Sequence, residues 1–368
     1  MKVEGRNFQS IWLEANGRKV RVIDQTRLPF QFEIRTLKTS ADAAAAISDM
    51  VVRGAPLIGA TAACGLLLAT AENTSDDHLT NSAAILLASR PTAINLRWAL
   101  DRVLPKLLEI APENRFACAR KEALSICSED ITTNSQIGDH GLRVLQHIHT
   151  KKNGNDQLNV LTHCNAGWLA TVDWGTALAP VFKAHNEGLP VHVWVDETRP
   201  RNQGASLTAW ELQAHGVPHT LISDNAGGHL MQQGQVDICI VGSDRTSRNG
   251  DVCNKIGTYL KALAAHDTGV PFYAALPSST IDWSCLDGIK EIPIEEREAD
   301  EVLYISGVTD TGQPIKIRLA PEGTRSANPA FDVTPGRLIS GIITERGVCQ
   351  ATEYNLLGLY PEKTADPF

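Results

Sequence analysis

From residue 158 onward the chain alternates short β-rich runs with helical stretches, and this alternation restricts the fold more than any other feature. The runs fall at 158–162, 191–195, 219–222, 236–241, 272–276 and 338–343. Strands of this kind, separated by helix-length segments, predict a parallel sheet with helices on both sides. In such sheets ligands bind beyond the carboxyl ends of the strands. The segments at those ends are 163–167, 196–200, 223–225, 242–245 and 277–280. Each is polar or glycine-bearing, so the predicted site lies among them.

The first half reads differently. Alternation at 19–23 predicts a small antiparallel sheet. Helical patterns follow at 43–50 with Ser40 as cap, at 57–70, at 94–110, at 116–128 and at 135–149. Pro56 suits the first turn of the 57–70 helix. The polar break at 151–156 gives the expected division, residues 1–150 and 151–368. The chain is therefore expected to be α/β, with a C-terminal parallel-sheet domain and a smaller N-terminal mixed β/helical domain.

A net charge of −8 argues against nucleic-acid or anionic-membrane partners, which require a basic face. An anionic substrate would have to be held by local cations and helix ends. The eight cysteines are scattered, without C-x-x-C or metal-ligand spacing, so neither a disulfide framework nor a metal is expected. The N-terminus has no signal-peptide core, and a cytoplasmic location is expected. The uncharged run 54–71 is too rich in Gly, Ala and Thr for a membrane span and reads as a buried helix. No G-x-G-x-x-G follows a strand and no P-loop occurs, so no nucleotide cofactor is expected.

Three places have the residues for chemistry. Arg53-Gly54-Ala55-Pro56 puts a cation and exposed N–H groups at a helix start, a natural anion site; an ordinary helix start with a surface arginine reads the same way. Asn254 and Lys255 lie just before another helix, where a lysine opposes the helix dipole unless an anion is bound; a solvated lysine is the simpler alternative. Cys164 and Asp244 each follow a predicted central strand. Cys164 is either an inert buried thiol or one activated by a positive helix end. Asp244 is either a turn residue or an acid/base. Trp168 and Trp174 flank the Cys164 loop and read more readily as core than as pocket wall.

Eight segments in order resemble the methylthioribose-1-phosphate isomerase family: VVRGAPLIGA (51–60), RPTAINL (90–96), LTHCNAGWLAT (161–171), ETRPRNQGASLTAWEL (197–212), VGSDR (241–245), NGDVCNKIGTYLKA (249–262), PFYAALPSST (271–280) and NPAFDVTP (328–335). The resemblance implies a Rossmann-like C-terminal domain without a nucleotide, a homodimer, and a reaction of methionine salvage needing no metal or cofactor. It implies a sugar-phosphate substrate contacting Arg53, Gly54, Ala55, Arg90, Gln203, Asn254 and Lys255, with Cys164 and Asp244 as the catalytic pair. The sequence departs from the family pattern at 245–248 and at Ser206, which bears on the choice between 5-methylthio and 5-deoxy sugars. Ribose-1,5-bisphosphate isomerase shares the fold but needs a second cationic cluster, and no extra motif supplies one. The regulatory subunits of the initiation-factor exchange factor resemble this family but lack the cysteine/aspartate pair. A nicotinamide-dependent oxidoreductase is a more distant alternative. On the resemblance, a buried Asp244 would act on substrate oxygens, and Cys164, as a thiolate, would take the carbon-bound proton or stabilise the charged intermediate, with a hydride shift between C2 and C1 as the competing route.

Overall fold

Val20 and Val22 are fully buried while Arg21 between them is not, and this period of two seeds the first sheet. Ile11–Leu13, Val20–Ile23 and Ile34–Leu37 pair antiparallel in that order. The computed structural model describes residues 1–152 and 156–364. Positions 153–155 of the expected polar break lie outside the described residues.

Five helices follow. In α1 (Ser40–Ser48) the cap is Thr39 rather than Ser40. The Thr39 hydroxyl accepts the Asp42 N–H at 3.0 Å, and the Asp42 carboxylate accepts the Thr39 N–H at 3.1 Å, forming a capping box. The uncharged run becomes α2 (Ala55–Glu72), with proline in its first turn. It is the one described helix long and apolar enough to cross a membrane, yet it is 83% buried inside the protein. Gly59 allows this packing, because a Cβ there would sit 2.9 Å from the Asn95 carbonyl oxygen on α4 (Ile94–Leu108). α3 (Asp76–Ser89) precedes α4 and ends at Arg90.

The helices expected at 116–128 and 135–149 are one, α5 (Pro112–Lys151), 40 residues long. Its first half joins the N-terminal core through Ala119, Ala123 and Ile126. Its second half contributes Ile137, Leu142 and Leu145 to the core beneath the large sheet.

That sheet has seven strands in the order Gly347–Cys349, Gly341–Thr344, Phe272–Ala275, Ile238–Val241, Leu158–Thr162, Val191–Asp196, His219–Ile222. All neighbours are parallel except the Gly347–Cys349 edge. Successive residues face opposite layers. Val160, Ile238 and Ile240 pack with α5 and α6 (Ala179–Asn186). Leu161, Cys239 and Val241 pack with α8 (Gly227–Gln232) and α9 (Thr258–Thr268). α7 (Ala209–His215) continues from a π-helical turn at Gly204–Thr208.

Two of the expected strands start later than their apolar runs. Val236 precedes the strand proper, and residues 336–338 form a 3-10 turn before Gly341–Thr344. The sequence reading also missed α3 and two β elements. One is a four-stranded sheet of Ile281–Asp282, Arg245–Ser247, Val252–Lys255 and Phe331–Thr334. The other is an exposed hairpin, Tyr304–Val308 with Pro314–Arg318.

Candidate active site

Leu158–Thr162 lies between Val191–Asp196 and Ile238–Val241, and the chain works outward from it in both directions. This is a topological switch point, where the loops leaving adjacent strands part and open a crevice. The loop after Leu158–Thr162 contains Cys164. The loop after Ile238–Val241 contains Asp244. The sheet order therefore brings together two residues 80 positions apart in sequence.

Cys164 is buried in a left-handed backbone conformation, φ +67°. Such a conformation costs a non-glycine residue about 1–3 kcal/mol and persists only when the surroundings hold it. Here they do. The Cys164 N–H donates to Thr198 Oγ1 at 2.8 Å, and its carbonyl accepts from Thr208 Oγ1 at 2.7 Å. The thiol donates to Gln203 Oε1 at 3.3 Å. Burial pushes the thiol above its usual range, and the opposing charges of Arg53 and Lys255 do not overcome that. The expected thiolate thus gives way to a neutral thiol at rest.

Asp244 starts the strand Arg245–Ser247, and its N–H donates to the Cys253 carbonyl at 2.9 Å. Some of its surface still reaches solvent, but protein surrounds the carboxyl closely. Burial raises its pKa, opposed by the charges of Lys255, Arg90 and Arg53. Lys255 ends the neighbouring strand Val252–Lys255, a few residues before α9 rather than in its first turn. Its ammonium lies over the Phe331 ring at 4.7 Å and makes no hydrogen bond or ion pair among the described residues. Burial lowers its pKa, while Cys164 and Asp244 act the other way. Asn254 is buried, with Nδ2 donating to Thr258 Oγ1 at 3.1 Å.

The start of α2 closes one side. Gly54 is its cap at φ +93°, and a Cβ there would meet Ala170 at 2.5–2.6 Å. No side chain fits at this position. Arg53 is buried and sets both terminal nitrogens on Asn165, one on the side-chain oxygen and one on the backbone oxygen at 2.7 Å. Arg90 pairs with Glu295 at 3.2 Å, and its buried Nε has no partner among the described residues. Ala55, Arg90 and Asp244 share the wall of a cavity of about 30 Å³. Arg53 and Gln203 face a second cavity of about 670 Å³, between residues 25–31 and the exposed hairpin. That volume is ample for a sugar phosphate.

Several residues here were not singled out in the sequence: Asn165, Thr198, Thr208 and Glu211. Three of them belong to the segment 197–212, from which the sequence reading carried over Gln203 alone. Their hydroxyls and carboxylate look like ordinary loop and helix polarity until the fold sets them against Cys164. The departures from the family pattern are locally satisfied. Arg245 Nε donates to Asp282 at 2.9 Å, and Ser206 donates to the Asn202 carbonyl at 2.8 Å.

His163, next to Cys164 in the sequence, meets Asp196 through Nδ1 at 2.8 Å and the Ile256 carbonyl through Nε2 at 2.8 Å. With Asp224 this is the one described group of metal-ligand type. Lys261 stands in it, 3.1 Å from Asp196, so an ammonium already provides the positive charge. Trp168 is core, packed on Trp210 with ring centroids 6.1 Å apart. Trp174 stacks with Lys183 away from the Cys164 thiol's partners. The glycine-bearing stretch 225–229 leads into α8, where Gly227 abuts Leu161 and Lys261.

Residues 51–351 match the initiation factor 2 subunit family. The methylthioribose-1-phosphate isomerase of Methylorubrum populi is 63% identical over 363 residues, 99% of each chain. That of Gluconobacter oxydans is 58% identical over 365 residues, again 99% of each. Among solved structures, the 5-methylthioribose 1-phosphate isomerase of Pyrococcus horikoshii is 40% identical, covers 97% of both chains and superposes with a TM-score of 0.83. The translation initiation factor eIF-2B subunit delta of A. fulgidus is 37% identical, covering 96% of this chain and 100% of that one, with a TM-score of 0.80. On identity and full-length coverage, the chain belongs to the methylthioribose-1-phosphate isomerase family, within the initiation factor 2 subunit family.

Proposed function

We propose that this protein is an aldose–ketose isomerase that converts 5-methylthioribose 1-phosphate to 5-methylthioribulose 1-phosphate, a step of methionine salvage. The observation that carries the reading is full-length identity of 58–63% to relatives of that name. The site supports it: a buried thiol and a closely surrounded carboxyl, with Arg53 and Lys255 acting on both and Arg90 on the carboxyl. The same features favour an enzyme over a regulatory subunit, which has no need of a thiol and a carboxyl at a switch-point crevice. A cytoplasmic location and a homodimeric assembly belong to this reading, as does the division at residue 150. A 5-deoxy sugar phosphate is the natural second substrate, because it differs only at the end remote from the phosphate.

In this mechanism the roles expected for the pair are exchanged, and the Cys164 thiol gives its proton to the ring oxygen as the C1–O bond breaks. The Asp244 carboxylate takes the proton from C2, and the C2–H electrons form the C1=C2 bond of an enediol phosphate. The 2-hydroxyl then returns a proton to the Cys164 sulfur as the C2 carbonyl forms, and protonated Asp244 delivers its proton to C1. Both groups end as they began. Burial favours each assignment: it keeps the thiol protonated and makes the carboxylate a stronger base. Arg53, Arg90, Lys255, Asn254, Gln203 and the N–H groups after Gly54 would hold the phosphate and fix C1 and C2.

NMR in deuterated water with 5-methylthioribose 1-phosphate tests both levels. Ketose 1-phosphate supports the isomerase, and deuterium at C1 supports proton transfer over a hydride shift. An intact sugar with folded protein would overturn the reading.

A further inference from the structure

Glu211, on α7, is completely buried and belongs to neither the acid/base pair nor the phosphate contacts. Its Oε1 accepts from the Asn165 amide at 3.0 Å and from the Leu169 N–H at 2.9 Å. Its Oε2 accepts from the Trp168 N–H at 2.9 Å. A Cβ on Gly167 would lie 1.8 Å from that oxygen, so the carboxylate is clamped against the loop. Three donors suit a carboxylate. A carboxylic acid would have to point its own proton at a donor.

The Asn165 amide points its nitrogen at Glu211 and at Thr208 Oγ1, the latter at 3.2 Å. Its oxygen is thereby turned toward Arg53, which grips that oxygen and the Asn165 backbone oxygen together. The orientation of the Arg53 guanidinium at the start of α2 thus depends on which way one amide is turned.

We propose that Glu211 is a positioning residue: its ionised carboxylate orients the Asn165 amide, which holds Arg53 as a fork for the substrate's anion. This rests on the reading above that Arg53 is an anion contact. Burial pushes Glu211 up to about 7, opposed by its three hydrogen bonds and by Arg53, the one charged group acting on it from α2. The loop packed on it faces it with amides. Acidification through neutrality therefore loosens the fork, and anion affinity falls with it.

Sulfate is a suitable probe because it stays dianionic across the range. Its binding is measured by calorimetry between about pH 5.5 and 8.5 for wild type, Glu211→Gln and Arg53→Ala. Glu211→Gln places an amide donor against donors and cannot be switched by pH. The expected ratio of wild-type to Glu211→Gln affinity is about tenfold at high pH, the effect of one misdirected buried hydrogen bond. It falls toward one below about pH 6. Contributions of Asp244 and Lys255 are common to both proteins and cancel in the ratio. A ratio of one throughout, or one independent of pH, overturns the proposal. If Arg53→Ala binds sulfate like wild type, the underlying anion reading fails; if it loses sulfate while the ratio stays flat, only the role of Glu211 fails. Should Glu211→Gln not fold, 13C NMR of wild type labelled at glutamate Cδ decides. By linkage, sulfate must lower the midpoint of the buried glutamate, and an unmoved midpoint overturns the proposal.

Discussion

At Cys164 and Asp244 burial acts in one direction on two different groups, raising the pKa of both a thiol and a carboxyl. The consequence is a proton donor and a strengthened base in one crevice, with Arg53 and Lys255 opposing both shifts and Arg90 opposing that of Asp244. Removing either partner should slow turnover about 10²–10⁴-fold, the usual contribution of a placed acid or base. Cys164→Ser and Asp244→Asn are expected to show that loss in kcat with KM little changed; wild-type kcat in the double variant would refute the pairing. The pH profile follows from the same shifts. Asp244 must be ionised, and its raised pKa makes kcat/KM fall on acidification sooner than for an ordinary carboxylate. Lys255 must be charged, and its lowered pKa brings the alkaline limb in earlier than for an ordinary lysine. Arginine stays charged throughout, so Lys255→Arg should move the alkaline limb to higher pH even where KM is worse. An alkaline limb that does not move would assign it to another group. Glu211 also carries a stability cost with a definite sign. Its folded pKa, about 7, lies above the normal 4.5, so the folded state binds the extra proton. Stability is complete below about pH 4.5 and is lost as pH rises through 7, on the order of 3 kcal/mol from this group. Chemical denaturation at pH 5 and pH 8 should show that slope, and Glu211→Gln should flatten it.

Among elements, helix ends and strand ends hold the site, and the two differ in how well the sequence reveals them. Leu158–Thr162 and His219–Ile222 were legible to the residue because polar loops bound short β-rich runs. The small sheet containing Asp244 and Lys255 was not legible. Arg245–Ser247 and Val252–Lys255 are too short and polar to show a period, and the pairing of Val252–Lys255 with Phe331–Thr334 spans some 80 residues. The reading of α5 as two helices failed for a related reason. Its polar stretch around Thr132 lacks an apolar stripe but gives its side chains to the helix itself. Thr132 Oγ1 donates to the Ser128 carbonyl at 3.0 Å and Asn134 Nδ2 to the Asp130 carbonyl at 2.8 Å. The helix continues because its inner face stays buried through Asn134 to Ile137 even where its residues are polar. Of the site, the residues carried over by resemblance were legible. The hydroxyls and amides that orient them were not, because a threonine in a loop has no signature until its partner is known. The cap of α1 gives a test at this scale. Thr39→Ala removes the hydroxyl half of the capping box and should cost about 1 kcal/mol in chemical denaturation. Ser40→Ala, at the position first read as the cap, should cost clearly less.

For the molecule as a whole, the candidate site is where two hydrophobic cores meet. Arg53, Gly54, Ala55 and Arg90 come from the helical half, and Cys164, Gln203, Asp244, Asn254 and Lys255 from the sheet half. α5 shares its length between both cores, and the Arg53–Asn165 pair bridges them at the crevice. An anion bound among Arg53, Arg90 and Lys255 would therefore tie the halves together as well as occupy a pocket. Ligand that binds only the folded state stabilises it by RT ln(1 + [L]/Kd), about 2.7 kcal/mol at a hundredfold excess over Kd. For a chain of this size that is a rise of a few degrees in Tm. Because the ligand contacts both halves, the rise should appear equally in far-UV circular dichroism, which follows α5, and in tryptophan fluorescence, which follows Trp168 and Trp210 beside the Cys164 loop. Lys255→Ala should abolish the ligand-dependent rise at both probes. A rise confined to one probe would mean that the anion is held by one half alone, and that the crevice is completed by something other than the cations at the start of α2.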